Sequence, residues 1–169
     1  MFITLFSRAI YVLPMKFGAV FPKTKLDTFQ RLQDRARSIV ENARYKDNWS
    51  CDWLSVENII RFDRSVMTYK IRNKLSPESL WDKFQQRSSQ SNYATRNCRD
   101  LQIPRLNTEH AKKSYRYSAI KVWNEIPVAV RELPTISLFK KRTKGVLEEL
   151  TENTNLIKNT TPWKNSILG

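Results

Sequence analysis

Glycine is almost missing from this chain of 169 residues, with only Gly18, Gly145 and Gly169. Loops that cradle phosphate on backbone amides need two or three glycines within a short run, so neither GxGxxG nor GxxxxGK[ST] can be written and enzymes built on those loops are excluded. Histidine is as scarce: His110 is alone, and Cys51 and Cys98 lie far apart with no CxxC between them. Zinc knuckles, zinc fingers and His-based catalytic arrangements lack their ligands, so no metal and no other cofactor is expected. His110, in a basic polar stretch, reads as a solvent-facing residue at a helix start.

Long apolar runs are also lacking. A spanning helix needs about 20 apolar residues, and the longest unbroken run near the N-terminus is Ala9 to Leu13. The wider segment Phe2 to Leu13 resembles a signal sequence only superficially. A signal peptide carries its charge ahead of the apolar stretch, whereas Arg8 interrupts this one and Pro14 follows. A core helix with no membrane partner is the reading, in an intracellular chain whose two thiols stay reduced.

Acid is in short supply too: 16 acidic residues face 30 basic ones, for a formal net charge of +14 and a pI near 10.0. Two-metal phosphoryl transfer needs carboxylates held close together. No Asp-Asp pair occurs, and Glu148-Glu149 falls at a helix end where a solvated surface explains it. The chain is therefore expected not to be an enzyme on its own. Its charge excess calls for an anionic partner, with nucleic acid ahead of a membrane surface.

What is present is aromatic and helical. Five tryptophans, six tyrosines and eight phenylalanines supply a core. Leu26, Phe29, Leu32, Ala36, Ile39, Val40 and Ala43 recur at helical steps after Thr24, a residue able to cap the start. A second helix is expected from Val56 to Leu75 with Ser55 as cap, and a short one restarts at Ser76-Pro77-Glu78 and runs through Phe84. Residues 85–100 are polar and aperiodic, a long loop by the usual lengths. Leu101-Gln102-Ile103 alternates, enough for a brief extended segment. One helix is expected from Glu109 to Ile126, with Ala111, Tyr115, Ala119, Val122, Trp123 and Ile126 on its apolar face. A short turn follows Pro127, and a last helix from a Ser137 cap to Leu150. The fold class is mainly α: an irregular helical domain over 1–150 with one long polar loop and at most a short extended segment, then a loose tail over 151–169.

The charge is densest between Phe84 and Trp123, where eight basic residues face only Asp100 and Glu109. Basic side chains interleaved with aromatics grip nucleic acid by pairing phosphates and stacking bases. The candidate contacts are Arg87, Tyr93, Arg96, Arg99, Arg105, Lys112, Lys113, Arg116 and Tyr117. Tyr115 and Trp123 lie on an apolar face and are read as core.

Several segments, in order, resemble the region downstream of the palm in reverse transcriptases of non-LTR (LINE-type, jockey-like) retrotransposons. They are Leu13-Pro14-Met15-Lys16-Phe17-Gly18; Lys25-Leu26-Asp27 with Gln30-Arg31-Leu32-Gln33-Asp34-Arg35-Ala36; Trp53-Leu54-Ser55-Val56; and Tyr69-Lys70-Ile71. Tyr93-Ala94-Thr95-Arg96, Pro104-Arg105, Ser114-Tyr115, Trp123-Asn124-Glu125-Ile126-Pro127 and Ser137-Leu138-Phe139-Lys140 continue the succession. Phe17 and Phe21 stand where the family commonly has Tyr and Trp, as expected of a decayed or truncated copy. The family's polymerase aspartates lie upstream of these segments, so no catalytic residue carries over. The resemblance implies a non-catalytic thumb-like or connection-like extension that holds RNA or an RNA-DNA hybrid and packs against a reverse transcriptase palm. The alternative is a packing module without nucleic-acid binding of its own.

Overall fold

The computed structural model of the chain describes residues 23–40, 54–89 and 97–159. It is mainly α, with no strand longer than an isolated bridge among the described residues. Helix α1 spans Lys23–Val40 and α2 Val56–Arg72. After a 3-10 helix at Glu78–Lys83 come α3 (Glu109–Lys112), α4 (Tyr115–Glu125), α5 (Val128–Arg131) and α6 (Ile136–Asn159).

Helix α2 is the central element, packed against both α4 and α6. Its Val56, Ile60, Val66, Tyr69 and Ile71 face inward, and the Ser55 hydroxyl accepts from the Asn58 amide as the cap. The Tyr69 ring stacks on Phe139 with centroids 4.4 Å apart, and Trp123 tilts against the same Phe139 at 5.8 Å. Buried aromatic contacts of this kind add about 1 kcal/mol beyond the area they remove from water. Polar groups are tied off alongside: the Tyr69 hydroxyl donates to the Leu133 carbonyl at 2.7 Å, and Asn58 Nδ2 to the Leu147 carbonyl at 3.1 Å.

Helix α2 ends three residues short of the expected Leu75. The Leu75 amide bonds back to the Lys70 carbonyl at 2.8 Å and the Lys74 amide to that of Ile71 at 3.2 Å, a Schellman closure with Lys74 at φ 56°. The turn swings Leu75 outward, so it is 62% exposed rather than inward-facing. The short helix that follows is 3-10 and starts after Pro77. Ser76 does not cap it; its hydroxyl is buried without a partner, and its carbonyl accepts from Trp81 Nε1 at 3.0 Å.

Helix α1 differs from expectation in which face it buries. Leu26 and Phe29 pack on Val56 and Ile60, but Leu32, Ile39 and Val40 are exposed. The side of α1 turned toward α2 carries glutamines: Gln30 Oε1 accepts from the Val56 amide at 2.9 Å and Gln33 Nε2 donates to the Leu54 carbonyl at 2.8 Å. These bonds satisfy backbone groups at the entry to α2. Ala43 lies outside the described residues.

The helix expected over Glu109–Ile126 is two helices. Thr108 caps α3, and Ser114 starts α4 anew by accepting from the Tyr117 amide, because a serine side chain competes for backbone N–H groups where a helix would otherwise continue. Helix α6 begins at Ile136, with Thr135 Oγ1 rather than Ser137 accepting from the backbone, at Leu138. It runs on to Asn159 instead of stopping at Leu150, so the boundary expected at 150 falls inside a helix; residues 160–169 lie outside the description.

The polar stretch 85–100 is closed at its base. The Arg87 amide donates to the Asp100 carbonyl at 3.0 Å and the Gln102 amide to that of Gln85 at 2.9 Å. Leu101, fully buried, is held by the Asn124 side chain on α4: Oδ1 accepts from the Leu101 amide and Nδ2 donates to its carbonyl, both at 2.9 Å. The brief extended segment is therefore docked by one amide side chain standing in for a neighbouring strand.

Candidate nucleic-acid interface

The sequence-derived cations separate into two groups. Arg99 and Lys112 are neutralised locally. Arg99 Nη1 reaches both carboxylate oxygens of Glu132, at 3.0 and 3.2 Å, and Lys112 Nζ lies 2.5 Å from Glu109 Oε1 across one turn of α3. Arg87, Arg105, Lys113 and Arg116 have no carboxylate of the described residues within ion-pair distance. Arg105, Lys113 and Arg116 are exposed, Arg87 and Tyr117 partly so. Tyr93 and Arg96 lie outside the described residues.

Tyr115 packs against the core. Burial pushes its hydroxyl up to about 12, with the nearby Arg64 guanidinium opposing and Asp63 reinforcing the shift. The hydroxyl therefore stays protonated at neutral pH. His110 is exposed, and Cys98 is a free thiol. Among the described residues no three His, Cys, Asp or Glu side chains gather as metal ligands, and no helix is long and apolar enough to cross a membrane.

Charge also collects where the sequence offers no periodic signal. Arg131, its side chain only 8% exposed, pairs with Asp100 at 3.0 Å and leaves its Nε without a partner. It lines a small cavity with Arg72, Arg99, Gln86 and Glu132. With the Gln86 amide turned so that its oxygen faces the guanidinium, Oε1 accepts from both terminal nitrogens of Arg72, at 2.6 and 2.7 Å. Burial, and then the like charge of Arg131, lower the pKa of Arg72, with Glu132 partly offsetting them. Three guanidinium groups around two carboxylates leave this cluster net positive, and Arg72 is the member held by a neutral acceptor. The cavity adjoins a groove of about 400 Å³ lined by Ile71, Arg72, Lys74, Trp81, Phe84 and Gln86, among others. In the sequence Arg72 is an ordinary cation in the last turn of an amphipathic helix, and Trp81 one more core aromatic. Only the turn at Lys74 brings them together.

No protein-family model, curated protein or solved structure matches the chain. The residues that carry the resemblance therefore have to be judged by what they do in the fold, and the described ones are largely structural. Gln30 and Gln33 fix the entry to α2, Tyr69, Trp123 and Phe139 form the aromatic centre, and Asn124 docks the extended segment. Pro127 opens α5.

Proposed function

We propose that the chain is the post-palm region of a non-LTR retrotransposon reverse transcriptase, a non-catalytic extension that binds RNA or RNA-DNA hybrid through its phosphates. The observation that carries this reading is the set Arg87, Arg105, Lys113 and Arg116, none of which has a described carboxylate within ion-pair distance. Counterion release makes such binding strongly salt-dependent and nearly indifferent to sequence. The test is a salt titration of binding to labelled RNA and RNA-DNA hybrid. Reversal of Arg105, Lys113 and Arg116 to Glu weakens binding and flattens the salt slope by roughly 0.7 to 0.9 for each phosphate no longer engaged. The same reversal at Lys112, Arg99 and Arg61, each already paired with a carboxylate, has the smaller effect. Equal weakening by the two triple variants, at unchanged helix content, refutes the localised interface. On primed template with Mg²⁺ or Mn²⁺ the chain incorporates no nucleotide.

A second reading, a packing module that covers part of a reverse transcriptase palm, is favoured by Leu32, Ile39 and Val40, which α1 leaves exposed. It gains if replacing these three by polar residues leaves nucleic-acid binding intact and raises solubility, while the basic variants change neither.

A further inference from the structure

Three features converge on the groove at the C-terminal end of α2. Its wall is aromatic: Trp81 is half-buried, with its indole nitrogen already committed to the Ser76 carbonyl, so that the ring presents a face rather than a donor. Its rim is cationic, with Lys74 Nζ 5.3 Å from the Trp81 ring centroid and the Arg72 guanidinium shared with the adjoining cluster that contains Arg99 and Arg131. Its backbone is held in an uncommon conformation. Lys74 takes φ 56°, the left-handed region, and is the only residue other than glycine to do so among the described residues. The position is C′ of a Schellman closure, where glycine is the usual occupant because it has no Cβ to clash. Lysine there costs stability, and what it contributes in return is an ammonium placed over Trp81.

We propose that this groove takes one unpaired nucleotide of a single-stranded nucleic acid, its base against Trp81 and its phosphate between Lys74 and Arg72. The proposal rests on the nucleic-acid reading above and adds to it a place and a preference for single strands. In the free protein Lys74 covers the indole as a cation, an attraction worth little at an exposed site; the base displaces it, and the ammonium swings to the phosphate. Arg72 is ready for the same exchange, because the acceptor it holds is the neutral amide oxygen of Gln86, and an anionic oxygen accepts a hydrogen bond from a guanidinium more strongly than an amide oxygen does. Gln86 is then released to reach a base edge. A duplex cannot enter this way, since its bases are stacked on one another and their faces are not available to Trp81.

The experiment measures binding of a fluorescein-labelled rU 12-mer and of a blunt RNA-DNA hybrid of the same length to the full chain and to K74G, W81L and the Arg105, Lys113, Arg116 triple reversal. K74G is the decisive variant, because glycine relieves the left-handed strain: the protein melts at the same temperature or higher while its affinity for the single strand falls and the salt slope drops by about 0.7. W81L lowers single-strand affinity about tenfold, the effect of unstacking one base, with little change for the hybrid. If the triple reversal weakens binding but K74G and W81L leave the single strand unaffected, the groove proposal is overturned and the basic interface stands. If the unaltered chain binds neither probe, both fall. Polyglutamate competing as well as the oligonucleotide at equal charge also overturns the proposal, since a generic anion site has no use for Trp81.

Discussion

Replacing Asn124 is the sharpest test of the architecture, because a single side chain satisfies both backbone groups of a residue with no solvent exposure. Asn124 accepts from the Leu101 amide and donates to the Leu101 carbonyl, each at 2.9 Å, and Leu101 is 0% exposed. Asn124→Leu keeps the branched outline and heavy-atom count of the side chain, at a larger volume, and abandons both bonds. Leaving a buried donor or acceptor unmade costs about 1 to 3 kcal/mol. The pair together therefore costs roughly 2 to 6 kcal/mol, a large share of the 5 to 15 kcal/mol typical of whole proteins. Asn124→Asp is the diagnostic partner. Its carboxylate still accepts from the Leu101 amide, but sets a second anionic oxygen against the Leu101 carbonyl, whereas its protonated form donates there as the amide did. The native state thus holds the proton more tightly than the unfolded chain, and the folded pKa of this Asp is raised above its ordinary value of about 3.9. By linkage, stability falls as pH rises from the unfolded pKa through the raised folded one. The deficit of Asn124→Asp relative to the unaltered chain is then largest at neutral pH and shrinks on acidification. Urea unfolding followed by far-ultraviolet circular dichroism at about pH 7.5 and about pH 4.5 measures it, on either side of much of that window. A cost below about 0.5 kcal/mol for Asn124→Leu, or an equal deficit for Asn124→Asp at both pH values, refutes the reasoning, since that is what surface substitutions show.

Two further outcomes are expected. Tyr69→Phe keeps the ring on Phe139 but removes the donor to the Leu133 carbonyl, costing about 1 to 2 kcal/mol in chemical denaturation with no change in helix content; no measurable cost means the bond contributes nothing net. Tyr115 remains protonated well past the ordinary tyrosine range because its folded pKa lies near 12. The absorbance difference at about 295 nm between the unaltered chain and Tyr115→Phe accordingly titrates near pH 12 rather than 10, and stability declines across that window as the unfolded state releases its proton first.

The sequence revealed the helices through the spacing of their apolar residues, and the Ser55 cap and the extended run before Pro104 through local chemistry. What it concealed were events set by side-chain competition for backbone groups. Ser114 splits one expected helix into two, and the closure at Lys74 stops α2 before Leu75 and turns that leucine outward. In α1 the apolar spacing pointed to the correct helix but to too broad a buried face, because Gln30 and Gln33 occupy the side that meets the start of α2. The excess of basic residues was legible as composition, and its division into neutralised and free cations was not: Arg99 finds Glu132 thirty-three residues away, a pairing no local pattern encodes. The groove was hidden for the same reason, since Trp81 and Arg72 come to line one groove only across a turn that takes a left-handed lysine.

The paired base at 85–87 and 100–102 gives the stretch between them an evolutionary freedom that the helices do not have. With its ends pinned by backbone bonds and by Asn124, the stretch pays in closure entropy only about 0.6 kcal/mol for each doubling of its length. Changes of length between Ser89 and Asn97 leave the bonds at the base in place, whereas a change of charge at Arg99 unpairs Glu132. Selection by whatever lies against this edge of the molecule can thus remodel it quickly while Tyr69, Trp123 and Phe139 stay fixed, and the same property makes it the natural place to graft a reporter or a cross-linking residue.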